Sequence, residues 1–201
     1  MSEARPRIAA VVLAAGGSSR LGTPKQLIEF RGAPLVRRAA MSAAEVGASP
    51  VIVVLGAEAS EIAPSLAGLD SVSSITNDQW QLGLASSLTA GIREVQRVSP
   101  RCDAVLITTV DQPLVGVEVL RVLLGAFADD ARLVAAEYSN TIGVPAIIGS
   151  EHLAAMLTLA GDAGAGRWLR ERMSDVMRVA MPEAAIDIDT AEDRARLATI
   201  A

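Results

Sequence analysis

Seven consecutive apolar residues, Ile8-Ala-Ala-Val-Val-Leu-Ala14, run without a polar interruption toward a pair of glycines at positions 16 and 17. A strand lacking a polar face is one buried on both sides, and such strands belong to parallel sheets with helices packed over both surfaces. Further candidate strands lie at 51–55, 71–75, 104–109, 133–136, 144–148 and 186–188. Segments of helical period fall between them, at 33–46, 57–66, 83–97, 115–127, 150–160, 166–174 and 191–200. Alternation of this kind implies right-handed crossovers and a mainly parallel sheet. The predicted fold is an α/β sandwich of three layers. No repeat or linker divides the 201 residues, so one domain over 1–201 is expected. A core of Ala, Val, Leu and Ile is also what the composition permits, because only Phe30, Trp80, Phe127, Tyr138 and Trp168 are aromatic while 51% of the chain is hydrophobic.

Charge and residue usage exclude several classes of function. The formal charge is −5 and no run of Lys or Arg stands out, so the footprint of a nucleic-acid binder is missing and a small-molecule partner is expected. Cys102 is the single cysteine, which rules out an intramolecular disulfide and a multi-cysteine zinc site and suits a reducing compartment. The stretch Ile8 to Ala15 is far too short to span a bilayer, and MSEARPR carries no long apolar region of a secretory signal. A cytoplasmic protein without a membrane partner is the expectation. His152, the one histidine, follows Ser150-Glu151 at a helix start and is expected to be exposed.

In open α/β sheets ligands bind beyond the carboxyl ends of the strands. Three polar motifs fall at such ends. The first, Gly16-Gly-Ser-Ser-Arg20-Leu-Gly-Thr-Pro-Lys25, lets backbone amides approach an anion and adds two cations, Arg20 and Lys25. It is a phosphate cradle, but neither a Walker A loop nor the dinucleotide fingerprint. In the second, Asp111 directly follows the strand 104–109, where its carboxylate is a hard oxygen ligand suited to Mg²⁺ on a triphosphate; a turn-forming Asp before Gln112-Pro113 is the plainer alternative. The third is Asp187-Ile-Asp189-Thr190, with both acids on one face of the predicted last strand. Thr190-Ala-Glu-Asp193 also reads as a helix capping box, so acids here have a purpose without any metal.

Leu13-Ala-Ala-Gly16 with Ser18, Arg20, Gly22 and Lys25 resembles the signature loop of the molybdenum cofactor nucleotidyltransferases, above all their cytidylyltransferase branch. The likeness continues in order through Asn77 with Trp80, Gly83-Leu-Ala-Ser86-Ser87, Asp111-Gln-Pro, Gly143-Val-Pro145, Gly161-Asp-Ala-Gly164 and Asp187-Ile-Asp-Thr190. The resemblance implies a Rossmann-like fold of the nucleotide-diphospho-sugar transferase type. It implies Mg²⁺ held by Asp111 and Asp189, with Asp187 beside them. It also implies a nucleotide site made by Leu13, Ala14, Ala15, Gly16, Gly17, Ser18, Arg20, Lys25, Asn77, Ser86 and Ser87. Ser87 would contact the base edge, although helix N-terminal polarity explains the serine pair equally well. Two departures, Val144 where the branch has His and Gly166 where it has Arg, lie in the half expected to receive the second substrate.

The implied reaction moves a CMP unit from CTP to the terminal phosphate of molybdopterin and releases pyrophosphate. That nucleophile is already an anion at neutral pH, so catalysis reduces to positioning and charge stabilisation. Arg20 and Lys25 would meet charge on the α-phosphoryl and leaving group, amides of Ala15 to Ser18 the phosphates, and Asp111 with Asp189 the Mg²⁺. A molybdoenzyme or its accessory chaperone is an implied partner. Rival readings are guanylyl transfer to molybdopterin, transfer to a sugar phosphate, a molybdopterin-binding accessory without catalysis, and a dinucleotide-dependent redox enzyme on the same scaffold.

Overall fold

A computed structural model describes residues 6–128 and 132–200. In chain order the strands are β1 (Ile8–Ala14), β2 (Glu29–Phe30), β3 (Ala33–Pro34), β4 (Val51–Leu55), β5 (Val72–Thr76), β6 (Ala104–Thr109), β7 (Leu133–Tyr138), β8 (Thr141–Gly149) and β9 (Met177–Ala180). The helices are α1 (Leu35–Glu45), α2 (Ala59–Ile62), α3 (Leu84–Val98), α4 (Val117–Ala128), α5 (Leu153–Met156), α6 (Ala165–Arg170) and α7 (Ala191–Ile200). Seven strands form one sheet in the order β5-β4-β1-β6-β8-β7-β9, while β2 and β3 pair as a separate small hairpin. Neighbours run parallel except where β8 lies antiparallel to both β6 and β7. The mainly parallel α/β sandwich expected from the sequence is the fold observed.

β1 is central and buried throughout, as its unbroken apolar run requires. Its side chains alternate between two cores. Ala10 and Val12 meet Val36 and Ala40 of α1 and Leu120 and Leu123 of α4 on one face. Ala9 and Val11 meet Leu88 and Ile92 of α3 and Leu169 of α6 on the other. Burying each Leu or Ile side chain contributes roughly 1.5–3 kcal/mol, so these two apolar layers are the main stabilising term. Helix α3 lies unusually close to the sheet. A Cβ on Gly91 would stand 2.5 Å from Val11 Cγ1 and 2.9 Å from Val54 Cγ2.

The second half of the chain departs from the sequence reading in two places. Residues 186–188 form no strand; Ile186 is exposed, Ile188 packs into a satellite cluster with Phe30, Leu35 and Leu197, and one bond from Ile188 N–H to the Asp111 carbonyl (2.9 Å) replaces a ladder. Pattern alone cannot separate an alternating strand from an irregular segment with one buried residue. The strand that pairs with β7 is β9 instead, an edge strand whose mostly exposed side chains carry no apolar signature. Strands β7 and β8 run longer than expected because Ser139 and Asn140, at φ 48° and 58°, close them as a two-residue hairpin. Positive φ at both central positions is the geometry that matches strand twist. The predicted helices 57–66 and 150–160 shorten to a single turn each, α2 and α5, extended by 3₁₀ turns.

Candidate active site

The loop after β1 is fixed by its own residues. Gln26 is 1% exposed, and its side-chain amide donates to the carbonyls of Ala14 (2.7 Å) and Gly16 (2.9 Å). Ser18 sits in the left-handed region, where its hydroxyl accepts the Lys25 N–H at 2.9 Å. The Ala57 N–H donates to the Ala15 carbonyl (3.2 Å), tying the loop to the turn after β4. Gly17 lies under the Trp80 ring, where a Cβ would be 3.1 Å from Cη2. The sequence reading passed over Gln26. Its one signal is an uncharged amide directly beside the loop lysine, which no motif marks.

These constraints deliver Lys25 to two carboxylates. Its Nζ donates to Asp189 Oδ1 at 2.6 Å and to Asp111 Oδ2 at 3.3 Å. The lysine side chain is 12% exposed, against 30% for Asp111. Burial pulls the Lys25 ammonium down, but the Asp111 charge and the hydrogen bond and charge of Asp189 outweigh it, leaving the group above its ordinary range. Asp187 joins this acidic neighbourhood without contacting Lys25. Partial burial of its carboxyl, then repulsion from Asp111 and Asp189, pushes its pKa up to about 6. Among the described residues no three His, Cys, Asp or Glu side chains converge as a metal cage. Asp111 and Asp189 nevertheless aim two hard oxygens at one cationic atom, and that donor set suits a dication completed by phosphate or water.

Two adjoining cavities share Gly16 and Lys25. One, of about 280 Å³, is lined by Leu13, Ala14, Ala15, Gln26, Trp80, Gly83, Leu84, Ser87, Thr109, Asp111 and Asp162 among others. The other, of about 170 Å³, is lined by Ser18, Ser19, Arg20 and Asp189. The structure therefore brings Leu13, Ala14, Ala15, Gly16, Ser18, Arg20, Lys25, Ser87, Asp111 and Asp189 around these two cavities, which meet at Gly16 and Lys25. A larger groove of about 640 Å³ involves Thr23, Leu27, Phe30, Glu61 and Arg194 but neither of the loop cations nor the paired acids, so size does not mark the site.

Asn77 and Ser86 stand beside the two adjoining cavities rather than on their walls. The buried Asn77 amide donates to both the Ser86 (2.9 Å) and Ser87 (3.0 Å) hydroxyls, and Ser86 in turn donates to the Gly83 carbonyl (2.8 Å). This network sets the start of α3 and with it the position of Ser87. Across the site, Gln112 donates to the carbonyls of Val144 (3.0 Å) and Ala184 (2.8 Å). Val144 lies where the β7–β8 register shifts, so the irregularity around Pro145 is what frees its carbonyl for Gln112. Tyr138 faces Asp187 and Gln112, and burial, then the Asp187 charge, raises its pKa. The capping box forms as expected: Asp193 Oδ2 accepts from the Thr190 N–H (3.0 Å) and hydroxyl (2.8 Å), and Thr190 Oγ1 accepts the Asp193 N–H (3.2 Å). His152 is not freely exposed; it packs against Trp168, ring centroids 5.8 Å apart.

Residues 10–176 match the family model of the MobA-like NTP transferase domain. The chain belongs to this family. An enzyme of nucleotidyltransferase type is what that membership and the neighbours support. It is similar to nicotine blue oxidoreductase of Paenarthrobacter nicotinovorans, with 31% identity over 96% of this chain and 97% of that protein. Among solved structures it is similar to a nucleotidyl transferase from Methanothermobacter thermautotroptrophicus, with 25% identity, a TM-score of 0.79, and 97% and 99% of the two chains covered. It is also similar to Rv0371C in complex with manganese from Mycobacterium tuberculosis H37Rv, with 25% identity, a TM-score of 0.74, and 95% and 97% covered. No helix among the described residues is long and apolar enough to cross a membrane.

Proposed function

We propose that this enzyme transfers a cytidylyl unit from CTP to the terminal phosphate of a molybdopterin-type acceptor, releasing pyrophosphate. The observation that carries the reading is the Lys25 ammonium held between Asp111 and Asp189 at the mouth of the glycine loop. An acceptor phosphate oxygen attacks the α-phosphorus in line; the new P–O bond forms as the bond to the β-bridging oxygen breaks. The acceptor is already ionised, so no general base is needed, and the surroundings hold no histidine that would serve as one. Lys25 and Arg20 stabilise charge on the α-phosphoryl and leaving group, and the amides of Ala15 to Ser18 hold the phosphates. Asp111 and Asp189 would hold a divalent cation, Mg²⁺ in this reading, which supplies charge neutralisation of the phosphates when bound. The similar Rv0371C forms a complex with manganese, which supports a divalent cation as part of this reading. Asp187, two residues before Asp189, is a further candidate ligand for that cation.

A panel of the four nucleoside triphosphates with Mg²⁺ and molybdopterin, scored for pyrophosphate release, tests the reading. CTP is expected to react fastest. Release with GTP alone would move the assignment to guanylyl transfer, and no release with any nucleotide would remove it. One observation favours a second reading, since the similar protein of Paenarthrobacter nicotinovorans bears the name of an oxidoreductase. In that case the loop would hold the pyrophosphate of a nicotinamide dinucleotide. Paired carboxylates around a lysine have no use in hydride transfer, and saturable NAD(P)H binding without triphosphate binding would decide for it.

A further inference from the structure

The cavity of about 280 Å³ carries, besides Asp111, a second acidic side chain to which the phosphate chemistry gives no role. Asp162, an exposed residue, lines its wall in company with Ser87, Gly83, Leu84 and Trp80. Its position is imposed by close backbone packing. Gly83, at φ 102°, presses against the 161–162 segment so tightly that a Cβ would stand 2.4 Å from the Gly161 carbonyl and 2.8 Å from Asp162 Oδ1. The Ala85 N–H at the start of α3 donates to the Gly161 carbonyl at 3.0 Å, locking the two segments together. Asp162 takes part in none of the ion pairs found among the described residues. A carboxylate that faces a ligand cavity without a cation repels phosphate and accepts only from donors.

Building on the nucleotidyl-transfer reading, we propose that Asp162 selects the base by accepting a hydrogen bond from an exocyclic amino group. The triphosphate must lie toward Lys25 and Arg20, which line the smaller cavity, and this leaves the larger one, whose wall includes Asp162 and Ser87, for the base. A carboxylate there accepts from the amino group of cytosine and meets the carbonyl oxygen of uracil with repulsion at the same position. Ser87, whose hydroxyl both donates and accepts, tolerates either. Asp162 therefore supplies the rejecting element of specificity and Ser87 the permissive one. The Asp lies outside the glycine loop and the Asn77–Ser87 network and reaches the nucleotide only through the packing of Gly83 on Gly161.

Calorimetric titration of the purified enzyme with CTP, UTP and dCTP in the presence of Mg²⁺ tests this without any acceptor, alongside the isosteric Asp162→Asn and the truncating Asp162→Ala variants. Melting temperatures identify any variant that fails to fold, and either folded variant suffices. The parent should bind CTP about 10–100-fold more tightly than UTP, the range of one good amino-group contact. In Asp162→Asn, whose amide also donates, the ratio should collapse to within about threefold as UTP gains and CTP loses. In Asp162→Ala the ratio should shrink mainly through weaker CTP binding. An unchanged CTP-to-UTP ratio in the folded variants would overturn the role of Asp162 while leaving triphosphate binding standing. So would a variant that alters CTP against dCTP instead, because the carboxylate would then be reading the ribose. Absence of binding by all three nucleotides to the parent would overturn the nucleotidyl-transfer reading itself, and the role of Asp162 with it.

Discussion

Two segments bring opposite charges to the same point, and they are held there in opposite ways. The loop that carries Lys25 is pinned from within, by Gln26 on the carbonyls of Ala14 and Gly16 and by Ser18 on the Lys25 N–H. The segment that carries Asp189 is framed locally only at its end, where the Asp193 carboxylate accepts the Asp189 N–H (3.3 Å) and the Thr190 N–H (3.0 Å). It is tethered from elsewhere, by the Asp111 carbonyl to the Ile188 N–H, by Gln112 to the Ala184 carbonyl, and by Ile188 among Phe30, Leu35 and Leu197. A self-pinned loop is preorganised for phosphate before substrate arrives, which is the condition under which charges stabilise a transition state most. A tethered segment owes its position to the rest of the fold, so it gives first when those tethers are cut.

The largest effect should come from the residue that joins the two segments. Lys25→Ala should lower turnover by roughly 10²–10³, as for loss of one preorganised stabilising group, with a smaller loss of triphosphate affinity. Comparison of kcat with the CTP dissociation constant checks this, and a variant with normal turnover would make Lys25 an ordinary structural lysine. Gln26→Ala strikes the self-pinned loop alone. It leaves two loop carbonyls short of a buried donor and should cost about 1–3 kcal/mol of stability by urea unfolding. CTP affinity should fall with it, while the affinity of Asp111 and Asp189 for Mn²⁺ should hardly move.

A third test bears on the tethered segment. Asp187 titrates near 6 in the folded chain against an ordinary value of 3.8. Between these values the folded chain binds the proton more tightly than the unfolded one, so this group's contribution to stability is complete below about pH 4 and lost as the pH rises through about 6. In chelator-treated protein, Asp187→Asn should therefore melt like the parent near pH 4 and above it near pH 7.5. Equal melting at both would show that neither burial nor repulsion from Asp111 and Asp189 strains the carboxyl. The smallest effect is expected of Asp193→Asn, which alters the capping box of α7 and the weak acceptor of the Asp189 N–H (3.3 Å). It should shift the melting temperature slightly and leave turnover unchanged; a loss of turnover would mean that the cap also positions Asp189.

The same contrast explains what could be read from the chain alone. The unbroken run at 8–14 dictates a doubly buried strand, and Gly16 to Lys25 follows it so closely that the cradle could be placed without coordinates. Thr190 and Asp193 announced the capping box by spacing. Legibility ended where a residue's role depends on distant partners. Gln112 matters because β8 departs from regular pairing near Pro145, and Asp162 lines the cavity of about 280 Å³ because Gly83 and Gly161 touch, neither of which a local pattern encodes. Strand β9 was hidden for a related reason: an exposed edge strand has no apolar face to betray it, whereas Ile186 and Ile188 imitate one.

The central claim is that Asp111 and Asp189 together form a cation site which Lys25 occupies until a metal-bound nucleotide is present. Its most direct test is a Mg²⁺ titration of pyrophosphate release in Asp111→Asn, with melting temperature measured on the same preparation. The substitution keeps size and backbone contacts, including the carbonyl that receives the Ile188 N–H, and removes the charge while replacing one acceptor oxygen by a donor. The account predicts a melting temperature close to that of the parent with activity lowered by roughly 10² or more at every Mg²⁺ concentration. A folded variant that titrates with Mg²⁺ as the parent does would contradict it.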